Sequence, residues 1–371
     1  MSAAARTSEL VPHAAARPAV HDNNFDLIRL FAATQVLAIH VVEHMGGDAH
    51  NFLRDLIDRF PGVPIFFAIS GYLVSQSLER SKSVSDYFFR RALRIYPALY
   101  VCLSLSVLSV LAVGYLEPIQ LISRQFLVWL LGQLTFLQMM RTPLLYDYGT
   151  GNLNGSLWTI PVELQFYFVL PLLYFGLSRM RNATAVLIAA IVVMIGVNIY
   201  RYSPGIALSD SRYAVVVRGN VLPYLYIFLL GMLWQRQFAR LKSLVEGKFW
   251  IWLPAYLATS YATSALGFQG MADGLVFVDV LMLSGLVMSA AFTARNMACR
   301  VLRGNDISYG MYIYHMPIVN LLLFLGAFSL ATNAAIVFGA TILLSTLSWF
   351  LVEKPALSLK NRVRFASRGD F

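Results

Sequence analysis

Apolar residues in this chain come in long blocks rather than in alternation. Eleven stretches stand out, at about 25–43, 61–79, 95–114, 121–140, 156–177, 183–200, 220–235, 249–268, 274–294, 307–327 and 331–352. Runs near twenty residues predict membrane-crossing helices, in which every backbone polar group is satisfied within the segment. The period-two alternation of an outer-membrane barrel is missing. The expected fold is therefore all-α, a polytopic helical bundle in a membrane. Nothing between the blocks exceeds about 40 residues, so no separate soluble domain is expected.

The ends are polar. Residues 1–24 are Ala-rich, without the apolar core or cleavage motif of a signal peptide, and read as a flexible cytoplasmic tail. Residues 25–352 form the expected membrane domain. Residues 353–371, with Lys354, Lys360, Arg362, Arg364 and Arg368, read as a basic cytoplasmic tail. Two cytoplasmic ends require an even number of spans, so one of the eleven stretches does not cross. Leaving Arg29 aside, treating 121–140 as the non-spanning stretch puts 21 Lys and Arg inside and 7 outside. Letting it span would turn the later basic loops outward, against the positive-inside bias. The expectation is ten transmembrane helices, with 121–140 an interfacial or re-entrant piece on the outer side, lining or roofing a cavity.

Composition supports this class. The chain of 371 residues is 58% hydrophobic and only 13% charged, which no soluble globular class matches. The net charge of +10 is accounted for by the inward loops, so membrane lipids rather than nucleic acid are the expected surroundings. Cys102 and Cys299 have no disulfide or metal pattern, and the six histidines show no metal-ligand spacing.

Charge inside the apolar blocks points to chemistry, because ionisable groups at bilayer depth are costly and usually face a cavity or a partner. Arg29 and His40 are eleven residues apart, within about 20° of three full helical turns and roughly 16 Å of rise. Both project from one face, Arg29 near the cytoplasmic surface and His40 deeper. Glu43 and His44 follow on that face at i+3 and i+4. Arg91 and Arg94, at i and i+3, form one cationic patch whose forked guanidinium groups suit phosphate oxygens. Glu163 lies about two turns into an apolar run and needs a partner or a wet cavity. Ser70 and Gly71 are small enough for close helix approach. His315 sits among tyrosines and reads as a hydrogen-bonded core group or a supporting one. Buried Arg, His and Glu also suit a transporter or a ligand sensor, but no inverted repeat relates the two halves.

These segments together resemble the acyltransferase-3 family of membrane acyltransferases. The matching pieces are Phe25-Asp26-Leu27-Ile28-Arg29 with ten residues to His40, the run from Gly62 through Ser70, Gly71 and Tyr72 to Leu73, and Arg91-Ala-Leu-Arg94. Leu157-Trp158-Thr159 through Glu163 to Tyr167, Ser308-Tyr309 to His315-Met316-Pro317, and Val352-Glu353-Lys354-Pro355 follow in the family's order, over about residues 22 to 362. The resemblance implies transfer of an acyl group, most often acetyl, from cytoplasmic acyl-CoA to a hydroxyl outside the membrane. Typical acceptors are bacterial surface or exported glycans, some of them lipid-linked, and in some relatives a macrolide. It also implies a bacterial cytoplasmic membrane. Arg29, His40, Arg91 and Arg94 fall on the family's functional positions. Some relatives add a soluble esterase-like domain that this sequence does not show, so action alone or with a separate partner is expected.

On this reading Arg91 and Arg94 bind CoA phosphates, Arg29 holds the pantetheine end or another phosphate, and His40 takes the proton from the acceptor hydroxyl. Glu163 or Glu43 orients the imidazole, as the acidic member of a triad does. His44, Ser70, Tyr72, Trp158 and His315 are possible supporting residues. A thioester is already activated, so no metal is demanded. Direct transfer is expected rather than an acyl-Ser70 intermediate, since no base is sequence-adjacent to Ser70.

Overall fold

The computed structural model describes residues 23–46, 51–201, 220–266, 277–326 and 328–361. Among them all regular structure is helical. The helices are α1 (Phe25–Met45), α2 (Asn51–Asp58), α3 (Gly62–Arg80), α4 (Val84–Ala112), α5 (Arg124–Leu134), α6 (Thr159–Ser178), α7 (Ala183–Arg201) and α8 (Leu225–Arg236). They continue with α9 (Phe238–Val245), α10 (Phe249–Ala265), α11 (Phe277–Phe292), α12 (Met297–Leu302), α13 (Ser308–Leu325), α14 (Leu330–Ser348) and α15 (Lys354–Ser358). The proposed tail over residues 1–22, and the end of the basic tail from 362, lie outside the described residues. Residues Glu353 to Asn361 are not loop: a π-helical turn, Trp349–Glu353, carries α14 on into α15.

Each predicted apolar stretch carries a helix, but the helices are unequal. Six segments are long and apolar enough to cross a membrane: Phe25–Met45, Arg54–Arg80, Val84–Ala112, Gly155–Ser178, Ser308–Leu325 and Leu330–Ser358. Ala183–Ile199 and Phe277–Phe292 are shorter apolar helices. α8 has only 12 residues, about 18 Å at the usual rise. The structure thus supports a polytopic membrane bundle, with six full-length spans and further, shorter apolar helices among the described residues. The run at 220–235 gives a short helix because α8 starts only at Leu225, after Pro223 and Tyr224. The 121–140 stretch holds α5, 11 residues long, about 16 Å and too short to cross.

Local sequence sets several helix ends. Ser83 caps α4, its hydroxyl accepting from Asp86 N at 3.1 Å, and Asp86 in turn accepts from Lys82 N at 3.0 Å and Arg90 Nε at 2.8 Å. Prolines inside helices free carbonyls four residues back. Pro171 leaves the Tyr167 carbonyl free, and Tyr87 donates its hydroxyl there at 3.2 Å. Pro317 does the same for Ile313, whose carbonyl accepts from Asn154 Nδ2 at 2.7 Å. In hydrocarbon such replacement partners are required, and here they tie loops and neighbouring helices to the kinks.

Packing inside a membrane gains little from the hydrophobic effect and depends on close contact. α1 lies against α3 and α13, α13 against α14, and α3 against α8. At the last crossing Gly71 faces Gly231. A Cβ built on Gly71 would lie 2.1 Å from the Phe228 carbonyl oxygen, and one on Gly231 would lie 2.2 Å from that of Ala68. Both neighbours are backbone and cannot swing away. Gly71→Ala is expected to force α3 from α8, at a cost of about 1–3 kcal/mol. Thermal unfolding in detergent checks it, and an unchanged midpoint would contradict the packing.

Candidate functional site

α1 brings Arg29 and His40 to one wall, as the eleven-residue spacing requires. At the N-terminal end of α1 Arg29 meets Asp26 at 3.0 Å and Asp306 at 3.4 Å. Asp306 also pairs closely with Arg94 from α4. Its other oxygen accepts from Ser308 N at 3.1 Å and from the Ser308 hydroxyl, so it caps α13 as well. Asp306 thus pins three helices with one carboxylate. Burial alone would raise its pKa; the guanidinium groups of Arg94 and then Arg29 outweigh this and hold it at about 2.

Arg91 is placed differently. Its guanidinium donates to Ser77 Oγ at 3.2 Å and lies 5.8 Å from the Tyr167 ring centroid. Its Nε is buried with no hydrogen-bond partner, and no carboxylate comes within ion-pair distance, among the described residues. Arg91 and Arg94 are one patch in the sequence. In the fold Arg94 is committed to Asp306 and Arg91 is not.

Both arginines and Arg29 line a cavity among α3, α4, α6 and α13 that holds about 760 Å³ of empty space including its mouth. Ser70, Glu163 and Tyr312 line it too. Glu163 accepts from Ser70 Oγ at 3.2 Å and from the Tyr167 hydroxyl. Tyr312 is fixed by donating to the Ser156 carbonyl at 2.7 Å while the Thr159 hydroxyl donates to it at 2.7 Å.

Beyond Tyr312 lies a histidine pair. The Tyr312 and His315 rings are 6.2 Å apart. His315, fully buried on α13, has Nδ1 3.1 Å from the Met311 carbonyl oxygen and Nε2 2.8 Å from His40 Nδ1. A carbonyl can only accept, so His315 Nδ1 carries the proton and donates it. His315 Nε2 is then the acceptor, and His40 Nδ1–H donates to it. The lone pair of the His40 ring is then on Nε2. His44 also stacks on the His40 ring, at 5.8 Å.

The partner of the His40 imidazole is therefore His315, not a carboxylate. Glu43 turns to Arg54 at 3.0 Å, and Glu163 to Ser70 and Tyr167. Tyr72 packs into the core against Phe25, ring centroids 5.0 Å apart, and Trp158 stacks on Tyr224 at 5.5 Å; neither lines the cavity. Asp306 is the residue that sequence reasoning missed. Its only signal is an Asp-x-Ser start to an apolar run, which reads as an ordinary helix cap.

Comparisons with known proteins place the chain in a family. A family described as an acyltransferase domain, Acyl_transf_3, matches residues 22–352. The chain is 34% identical to nodulation protein 10 of Rhizobium leguminosarum, over 92% of this chain and 94% of that protein. It is 25% identical to an O-acetyl transferase of Shigella phage Sf6, over 91% and 97% of the two chains. It is 26% identical to a peptidoglycan O-acetyltransferase of Listeria monocytogenes, over 71% of this chain and 45% of that one. No solved structure matches.

Proposed function

The chain belongs to the acyltransferase-3 family, and we propose that it carries acyl groups, acetyl foremost, from cytoplasmic acyl-CoA to a hydroxyl of an exported or surface glycan. The observation that carries this reading is a cavity lined by Arg29, Arg91, Arg94 and Tyr312, with the hydrogen-bonded His315–His40 pair beside Tyr312. Two of the similar proteins are named for O-acetyl transfer, one of them to peptidoglycan. Acetyl and a glycan are the acyl group and acceptor class that fit those names.

Arg91 serves the donor. Its guanidinium lines the cavity without a carboxylate partner and offers a charge-assisted hydrogen bond to a CoA phosphate or to the pantetheine arm. Arg29 and Arg94 hold the mouth in shape through Asp306. His40 Nε2 takes the proton of the acceptor hydroxyl. The imidazolium then keeps its Nδ1–H bond to His315, so no ring rotation is needed during the step.

Purified protein given isotope-labelled acetyl-CoA is expected to release CoA over many turnovers only when acceptor glycan is added. A transporter or sensor would bind without release. The proposed orientation, with both ends in the cytoplasm, has its own check. A cysteine at Asn152 is expected to react with an impermeant thiol reagent from outside, and one at Ser83 is not. Labelling of Asn152 only after permeabilisation would contradict the orientation.

A further inference from the structure

We propose that Ser70 carries the acyl group between donor and acceptor, as a transient acyl ester on its Oγ. The proposal rests on the reading that acyl-CoA occupies the cavity. In the sequence no base stands near Ser70. The fold supplies one from 93 residues away: Ser70 Oγ donates to Glu163 at 3.2 Å. The same carboxylate oxygen accepts from the Tyr167 hydroxyl, which holds its orientation. Nucleophile, base and orienting group thus occur in the order that covalent catalysis uses. All three line the cavity beside Arg91, whose guanidinium lies over the Tyr167 ring. Backbone contact between α3 and α8 at Gly71, the next residue, fixes where Ser70 stands.

The position of His40 makes the same point from the other side. His40 does not line this cavity; Tyr312 does, and the His315 ring stands 6.2 Å from that of Tyr312 and is hydrogen-bonded to His40. A thioester held beside Arg91 meets Ser70 first.

The chemistry balances. Ser70 Oγ bonds to the thioester carbonyl carbon and gives its proton to Glu163. The carbon–sulfur bond breaks, and the CoA thiolate takes that proton and leaves as free thiol. The acceptor hydroxyl then bonds to the same carbon, and its proton passes to His40. The bond to Ser70 breaks, and Oγ takes back one proton as His40 loses one, returning both to their starting forms.

The test uses the full chain, purified in detergent, with isotope-labelled acetyl-CoA and no acceptor. The reaction is quenched in acid and peptides are read by mass spectrometry, while calorimetry measures acetyl-CoA binding in parallel. The expected result is an acetyl ester on the peptide holding Ser70, removed by hydroxylamine and absent in Ser70→Ala, which still binds acetyl-CoA. Glu163→Gln is expected to slow labelling by about 10²-fold or more. Ser70→Cys is expected to carry the label as a thioester, more easily cleaved by hydroxylamine. Binding without any label overturns the acyl-serine and leaves the donor reading standing. Label that persists in Ser70→Ala also overturns it. Failure of the wild-type chain to bind acetyl-CoA overturns the donor reading and this step together.

Discussion

Replacing His40 by alanine is expected to abolish acyl transfer while the helices remain packed and inserted. Loss of a general base alone costs about 10²–10⁴-fold in rate. Among the described residues the His40 ring makes one hydrogen bond, to His315, and stacks on His315 and His44. Removing it therefore disturbs little of the packing. His315 is a positioning residue, and its variants separate the two roles. His315→Leu leaves His40 Nδ1–H without an acceptor, so the tautomer is no longer held. His315→Gln keeps a carbonyl oxygen at a similar reach. The Gln variant is expected to retain more activity than the Leu variant at equal expression, and the Leu variant to change the pH profile of the rate. Equal activity in both would mean that His315 only fills space.

The second large effect divides the arginine pair. Arg94→Ala is expected to destabilise the fold, by up to about 3–5 kcal/mol, because it leaves a buried carboxylate short of its nearest cation. Asp306 would then keep only Arg29, at 3.4 Å. Arg91→Ala is expected to leave stability nearly unchanged and to raise the acyl-CoA dissociation constant by about one to two decades, the loss of one charged hydrogen bond. Adding Asp306→Asn to Arg94→Ala should recover part of the lost stability, since the uncompensated charge is gone. Thermal unfolding and calorimetry on the same samples read both quantities. The Asp306 contribution also has a pH signature. Its folded pKa lies below the ordinary carboxylate value, at about 2. The stabilisation is therefore complete above the ordinary range and is lost as pH falls toward 2. The reverse pattern, with Arg94→Ala stable and weak in CoA binding, would contradict the division.

Much of the fold is legible in the chain because lipid leaves few options. An apolar run must become a helix, and all eleven stretches carry one. The number of crossings is less legible. Hydropathy does not register that α8 is only 12 residues long. In the site, the shared face of Arg29 and His40 follows from helical spacing alone. The His40–His315 bond does not, because it joins residues 275 apart and exists only once α1 and α13 pack together. The different fates of Arg91 and Arg94 depend on Asp306, 212 residues beyond Arg94. A single acidic residue before a helix gives no hint of such a reach. Glu163 lies in α6, the helix its apolar run predicts, while its partners Ser70 and Tyr167 come from α3 and from its own next turn.

The central claim is that this protein places acyl groups on an exported glycan and that His40 is the base. The most direct measurement is the acetyl content of surface and secreted glycan, by mass spectrometry, in cells lacking the gene and complemented with wild type or His40→Ala at equal membrane levels. Acetyl ester present with wild type and missing with both the empty strain and the His40 variant is the predicted result. Glycan acetylation that is the same in all three strains would contradict the claim.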